Sequence, residues 1–212
     1  MKIMILAFNI NYLSALLKRA GRTRVANLPF LLGLLLVVQS VAAVGAIPNK
    51  KEFTKTIKKE FGITADGTTS IYNKYGKIEI KTWDKERVKV EVVILVNARS
   101  ESEAQEVFDR ISVDFANGND YVKAETEIQS QQSGWWSWND SKSDYNINYN
   151  VFLPASNNVD VSNKYGDINA EAITGSANIA VKYGNFRLEG IGKRTTIDLG
   201  YGNGTVVTAR EV

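Results

Sequence analysis

Much of the chain beyond residue 47 is written in short segments where apolar and polar residues alternate, the period of a strand with one buried and one wet face. Ile78 and Ile80 alternate with charged residues, as do Val88, Val90 and Val92. Residues 69–73, 77–83 and 87–97 are therefore predicted strands, with Asp84-Lys85-Glu86 turning between the last two. The segment 47–61 is basic and threaded with Phe53, Ile57 and Phe61. That spacing suits a helix face and its threonines suit a strand; the β character of the neighbouring segments favours the strand. Ala65-Asp66-Gly67 is a turn signal.

One segment has the helical period. Ala104, Val107, Phe108 and Ile111 make an apolar stripe at spacings of three and four, which predicts a helix over about 100–111. Ser100 or Ser102 can cap it, and Glu101, Glu103 and Glu106 lie where the helix dipole favours negative charge. After Asn117-Gly118-Asn119-Asp120 the pattern predicts a long hairpin: Tyr121 to Gln129, a polar tip over 130–143, and Asp144 to Leu153 returning to a stop at Pro154.

From residue 157 the pattern becomes periodic. Asn163-Lys164-Tyr165-Gly166 is followed at intervals of eighteen residues by Val181-Lys182-Tyr183-Gly184 and Leu199-Gly200-Tyr201-Gly202, and an earlier copy, Asn73-Lys74-Tyr75-Gly76, stands ninety residues upstream. Asp167, Asn185 and Asn203 share one phase; Ile173 with Ile191 and Ile179 with Ile197 share two others. Short strands separated by a Tyr-Gly-Asp/Asn corner fit an all-β chain ending in a parallel β-helix-like β-solenoid, each ~18-residue unit adding a rung. An antiparallel sandwich whose hairpins share a motif is the alternative. The predicted organisation is a leader over 1–46, a β-rich part with the helix and the Trp-tipped hairpin over 47–156, and solenoid repeats over 157–212. The chain reaches Val212 without a polar or helical cap, which predicts a C-terminally truncated product or an end covered by another subunit.

The leader changes the charge argument. Lys18, Arg19, Arg22 and Arg24 precede an apolar run from Leu28 to Val38 and small residues from Val41 to Ala46, the order of a secretory signal cleaved after Ala43 or Ala46. An uncleaved membrane anchor over Leu28 to Ile47 is the alternative, since about 20 apolar residues cross a bilayer. The stretch ahead of it suggests an over-extended start. The whole chain has a formal charge of +3, but residues 47–212 hold 21 basic and 23 acidic side chains, a net charge of −2. A basic face for nucleic acid is not expected. There is no cysteine and no histidine, which excludes a disulfide framework and a Cys-ligated zinc and removes the commonest general base and metal ligand. No cofactor and no enzymatic activity are expected.

The run Lys51 to Ile57 leading to Asn73-Lys74-Tyr75-Gly76, then Ile78-Glu79-Ile80 and Thr82-Trp83-Asp84, resembles secreted Bacteroidetes proteins of the "putative adhesin" group, and the 161–166 copy resembles that family's solenoid repeat. The resemblance covers about residues 50 to 212. It implies a β-solenoid fold and a surface role, in a family whose members continue with further repeats where this chain ends.

Trp135-Trp136-Ser137-Trp138 with Asn139 and Asp140 is the sharpest candidate surface. Exposed rings stack on pyranose faces while amides and carboxylates bond hydroxyls, and Tyr145 and Tyr149 would extend that surface. The same indoles could cover the end of the sheet, or dock a protein or a membrane interface. Tyr75, Tyr165, Tyr183 and Tyr201, with Gly76, Gly166, Gly184 and Gly202, read as structural corners stacked between coils. Asp160, Asp167 and Asp198 read as solvated turn residues and not as a catalytic set. The expected function is a non-enzymatic, exported cell-envelope interaction protein located in the periplasm, on the outer surface or outside the cell. Its expected partner is an envelope protein or a surface glycan, with self-association through the uncapped end. A membrane-held envelope-stress accessory protein is the alternative reading, and a polysaccharide lyase or hydrolase ranks below both.

Overall fold

The alternating segments form thirteen strands in the computed structural model, which describes residues 49–129 and 144–209. β1 (Lys51–Gly62) pairs antiparallel with β4 (Arg87–Ala98) along its whole length. In β4 every second residue, Val88, Val90, Val92, Ile94, Val96 and Ala98, is buried. Each fully buried aliphatic side chain of this kind contributes about 1.5–3 kcal/mol, so the alternation fixes which face turns inward. β1 is an edge strand carrying Lys51, Lys55, Lys58 and Lys59, a composition that discourages further pairing.

The remaining strands are β2 (Thr68–Tyr75), β3 (Ile78–Trp83), β5 (Ile111–Asn117), β6 (Tyr121–Ile128), β7 (Asp144–Pro154), β8 (Asn158–Tyr165), β9 (Ile168–Ala170), β10 (Ala177–Tyr183), β11 (Phe186–Leu188), β12 (Thr195–Tyr201) and β13 (Gly204–Val206). They build two mixed sheets that do not close. One runs β1-β4-β7-β3-β9-β11-β13 and the other β12-β10-β8-β2-β6-β5. Their inner faces share one core, in which Ile71, Val161 and Ile179 of the second sheet meet Ile78, Ile80, Ile147 and Ile168 of the first.

Both sheets keep their parallel neighbours in the same order, so β6 with β7, β2 with β3, β8 with β9, β10 with β11 and β12 with β13 form successive tiers. Along the last three tiers the register advances by eighteen residues: Tyr165 faces Tyr183, which faces Tyr201, and Ile168 faces Phe186, which faces Gly204. The copy ninety residues upstream belongs to the adjacent tier, because Tyr75 faces Tyr165 and Ile78 faces Ile168.

The single described helix, α1 (Glu101–Arg110), starts where the Ser100 side chain accepts the Glu103 N–H at 3.2 Å; the Glu103 carboxylate in return accepts the Arg99 N–H at 2.9 Å. Ser100, not Ser102, is the cap. Ala104, Val107 and Phe108 are buried.

Two expectations are corrected by the sheet order. The long hairpin does not form: β6 lies in one sheet between β2 and β5, and β7 lies in the other between β4 and β3. The reason is packing, since Ile147, Tyr149, Val151 and Leu153 need apolar neighbours on both sides, and β3 and β4 supply them. The boundary between 156 and 157 separates no folding unit either, because β8 and β9 continue the sheets of β2 and β3 and residues Pro48–Val212 form one compact unit. The predicted leader over 1–46 and the tip over 130–143 lie outside the described residues.

Candidate functional site

The recurring corner is built from backbone outward. Gly76, Gly166, Gly184 and Gly202 have φ of 106°, 137°, 156° and 142°, a region that favours glycine. The N–H of Gly76, Gly166 and Gly184 donates to the carbonyl of the Tyr one tier on, Tyr165, Tyr183 and Tyr201, at 2.9, 2.9 and 3.0 Å. A Cβ on Gly166 would overlap the Gly76 carbonyl, and one on Gly202 the Gly184 carbonyl. Only a column of glycines lets the tiers approach this closely.

That approach sets the tyrosines. Tyr75, Tyr165, Tyr183 and Tyr201 stack with centroids 5.2, 5.2 and 5.1 Å apart and planes within 7°, 5° and 3°. Tyr145 closes the first end edge-on to Tyr75 at 5.5 Å. Each internal ring face is therefore occupied by another ring, and the stack presents edges and hydroxyls outward. Tyr201 is the most exposed at 68%. Beside the rings runs a polar ladder: Asp167 Oδ1 accepts the Asn185 N–H at 2.7 Å, and Asn185 Oδ1 accepts the Asn203 N–H at 3.0 Å.

On the other side of the rings stands a row of lysines. Lys74, Lys164 and Lys182 occupy one register position on adjacent parallel strands, and Gly200 takes the fourth place. Each ammonium lies over its own tyrosine, 5.7, 5.2 and 5.7 Å from the ring centroid. A groove of about 430 Å³ beside the row is lined by Ser162, Lys164, Lys182, Asp198 and Gly200.

Beneath the corner is a buried polar chain. Asn73 donates from Nδ2 to the Ile147 carbonyl at 2.8 Å, and its Oδ1 accepts from the Thr126 hydroxyl at 3.1 Å. The Thr126 proton being used, the Tyr149 hydroxyl donates to Thr126 Oγ1 at 2.7 Å. Burial pushes the Tyr149 phenol up to about 12. This corrects the expectation that Tyr149 extends an exposed ligand surface: it is fully buried, on the same face as Ile147 and Val151. Tyr145 is half-buried, and its ring is engaged by Tyr75. Trp135, Trp136, Trp138 and Asn139 lie outside the described residues.

Two of the acidic candidates, Asp160 and Asp167, have structural partners. Asp160 accepts from the Tyr72 hydroxyl, which raises the Tyr72 pKa, and from Asn178 Nδ2 at 2.8 Å. Among the described residues no three acidic side chains converge as a metal site. Two features escape a reading of the sequence alone. The lysine row is legible in the Asn-Lys-Tyr-Gly and Val-Lys-Tyr-Gly copies once strand register is known. The other is a cluster on the opposite sheet, where Trp83 packs on Phe152 at 5.5 Å with Lys89 and Lys81 over Phe152 and Lys85 over Trp83. Trp83 and Phe152 are far apart in sequence and meet only because β7 lies beside β3.

No protein-family model matches the chain, and no curated protein matches it. Among the described residues no helix is long and apolar enough to cross a membrane. Solved structures with some likeness include a "putative cell adhesion protein" from Clostridium sporogenes, 13% identical, covering 74% of this chain and 100% of that one at a TM-score of 0.39. A "putative adhesin" from Bacteroides fragilis is 10% identical and covers 73% and 95% at 0.25. A "putative lipid binding protein" from Parabacteroides distasonis is 16% identical and covers 68% and 61% at 0.24.

Proposed function

We propose that this chain is an exported, non-enzymatic interaction protein of the bacterial cell envelope, its eighteen-residue tiers forming a β-solenoid. The observation that carries this reading is the corner itself. A glycine column holds tyrosine edges, lysines and amides at the same position on tier after tier, so the protein presents a rigid, repeating, exposed surface. A surface of that form suits recognition of an extended partner. Of the acidic side chains near it, Asp160 and Asp167 are spent on structural bonds.

The test uses the full chain, tagged at its C-terminus and expressed in a Gram-negative host. Export with removal of residues near 43–46, together with retention on isolated envelopes, is the expected result. A chain that stays in the cytoplasm, or glycan cleavage abolished by changing one acidic residue, would overturn the reading.

A further inference from the structure

We propose that the Lys74, Lys164 and Lys182 row recognises a linear acidic polysaccharide, one charged sugar meeting each rung. This names the ligand class for the surface-interaction reading and rests on it.

The placement comes from register. Asn73 and Tyr75 face Asn163 and Tyr165, and Asn163 and Tyr165 face Val181 and Tyr183, so the three lysines between them stand side by side on neighbouring strands. Neighbouring strands are about 4.8 Å apart. Because each ammonium takes a similar position over its own ring, and the rings are parallel, the charges advance at that same step.

Such a row opposes folding, since like charges directly opposite on adjacent strands repel. Three lysines elsewhere are neutralised, Lys58 by Glu91, Lys77 by Glu79 and Lys123 by Glu125. Among the described residues Lys74, Lys164 and Lys182 have the ring contacts in place of an ion pair. An anionic polymer lying along the row would supply the missing counter-charge.

The surroundings select the polymer. Single-stranded nucleic acid needs open aromatic faces on which bases stack. Here the internal ring faces are closed by one another. The groove beside the row offers the Ser162 hydroxyl and the Asp198 carboxylate, which suit sugar hydroxyls. A pyranose is close to one rung in length, so successive acidic sugars can meet successive lysines. Gly200 leaves the end of the row without a side chain, so a longer polymer can run on past the last rung.

The full chain and its Lys74→Gln/Lys164→Gln/Lys182→Gln variant would be titrated with polygalacturonate, heparin, dextran and a single-stranded oligonucleotide. Circular dichroism would confirm that both proteins fold. Binding to polygalacturonate points to carboxylated sugars and binding to heparin to sulfated ones. Either should weaken about twenty- to fortyfold between 50 and 200 mM salt, as three contacts each contributing about 0.7–0.9 to the log–log slope require. The triple variant should lose the binding, and Lys81→Gln/Lys89→Gln, on the other sheet, should keep it. If the triple variant does not fold, Lys182→Gln alone, at an exposed position, should weaken binding by about threefold. Binding unchanged by these substitutions, equal binding to dextran, or equal binding to the oligonucleotide would overturn the proposal. Retention on envelopes without binding to either acidic glycan would overturn it and leave the interaction reading standing, whereas loss of both would overturn both.

Discussion

The hydroxyl of Tyr149 shows how a polar group is made tolerable inside this core. It donates to Thr126, which donates to Asn73, whose amide is held by the Ile147 carbonyl, so no group in that chain is left unpaired. Burial raises the phenol to about 12 from a usual value near 10, and a group whose folded pKa is raised contributes stability below the unfolded pKa. Stability should therefore fall as pH rises from about 10 through 12, by on the order of 2–3 kcal/mol. Tyr149→Phe should cost about 0.5–1.5 kcal/mol at neutral pH and flatten that alkaline fall. Urea unfolding between pH 8 and 12 reads both, and an unchanged alkaline slope would mean that Tyr149 is not its source. The inward position of Tyr149 is legible in the sequence, since it shares parity with Ile147, Val151 and Leu153 while Asn146, Asn148 and Asn150 occupy alternate places. The expected hairpin obscures it, because the return arm of an exposed ribbon has no buried face to give. Asn163 is less complete than Asn73. Its Oδ1 is buried without a partner among the described residues; the place that Thr126 takes beside Asn73 is taken beside Asn163 by Asn73 itself.

Among the elements, the turn between β7 and β8 depends on one side chain. Asn157 is fully buried; its Nδ2 donates to the Thr64 and Ala65 carbonyls at 3.0 and 3.1 Å, and its Oδ1 accepts the Thr69 hydroxyl at 3.0 Å. It ties the start of the later tiers to the turn before β2. Asn157→Ala removes three hydrogen bonds and leaves the buried Thr69 hydroxyl without its acceptor, which should cost about 1–3 kcal/mol. Asn157→Asp should not rescue it, because a carboxylate cannot donate to two carbonyls. Chemical denaturation of the two variants tests this, and a midpoint near that of the unsubstituted chain for either would refute it. In the sequence Asn157 is only a loop residue after a proline. Strand periods, the helix and the corner motif are readable because each depends on local chemistry. Pairing partners are not, since β6 and β7 alternate equally well whether they face one another or lie in opposite sheets.

For the molecule as a whole, stability is unevenly spread. Buried side chains crowd β3, β4 and β7, whereas in the β12–β13 tier Ile197, Tyr201 and Val206 remain exposed. A chain ending after Gly192 should keep its β-sheet circular dichroism and a cooperative transition, losing about 1–2 kcal/mol, or roughly 2–8 °C in Tm. Loss of the cooperative transition would show that the tiers do not contribute independently. The insertion of β7 between β3 and β4 also governs how the chain can come together during synthesis. A nascent chain that has not reached residue 144 holds β1 against β4 and has β3 waiting, with the strand that joins them still on the ribosome. The partners of β2 and β3 in the next tier arrive ninety residues late. The first sheet is thus completed only once β7 has emerged, and until then the open edges of β3 and β4 are exposed to aggregation.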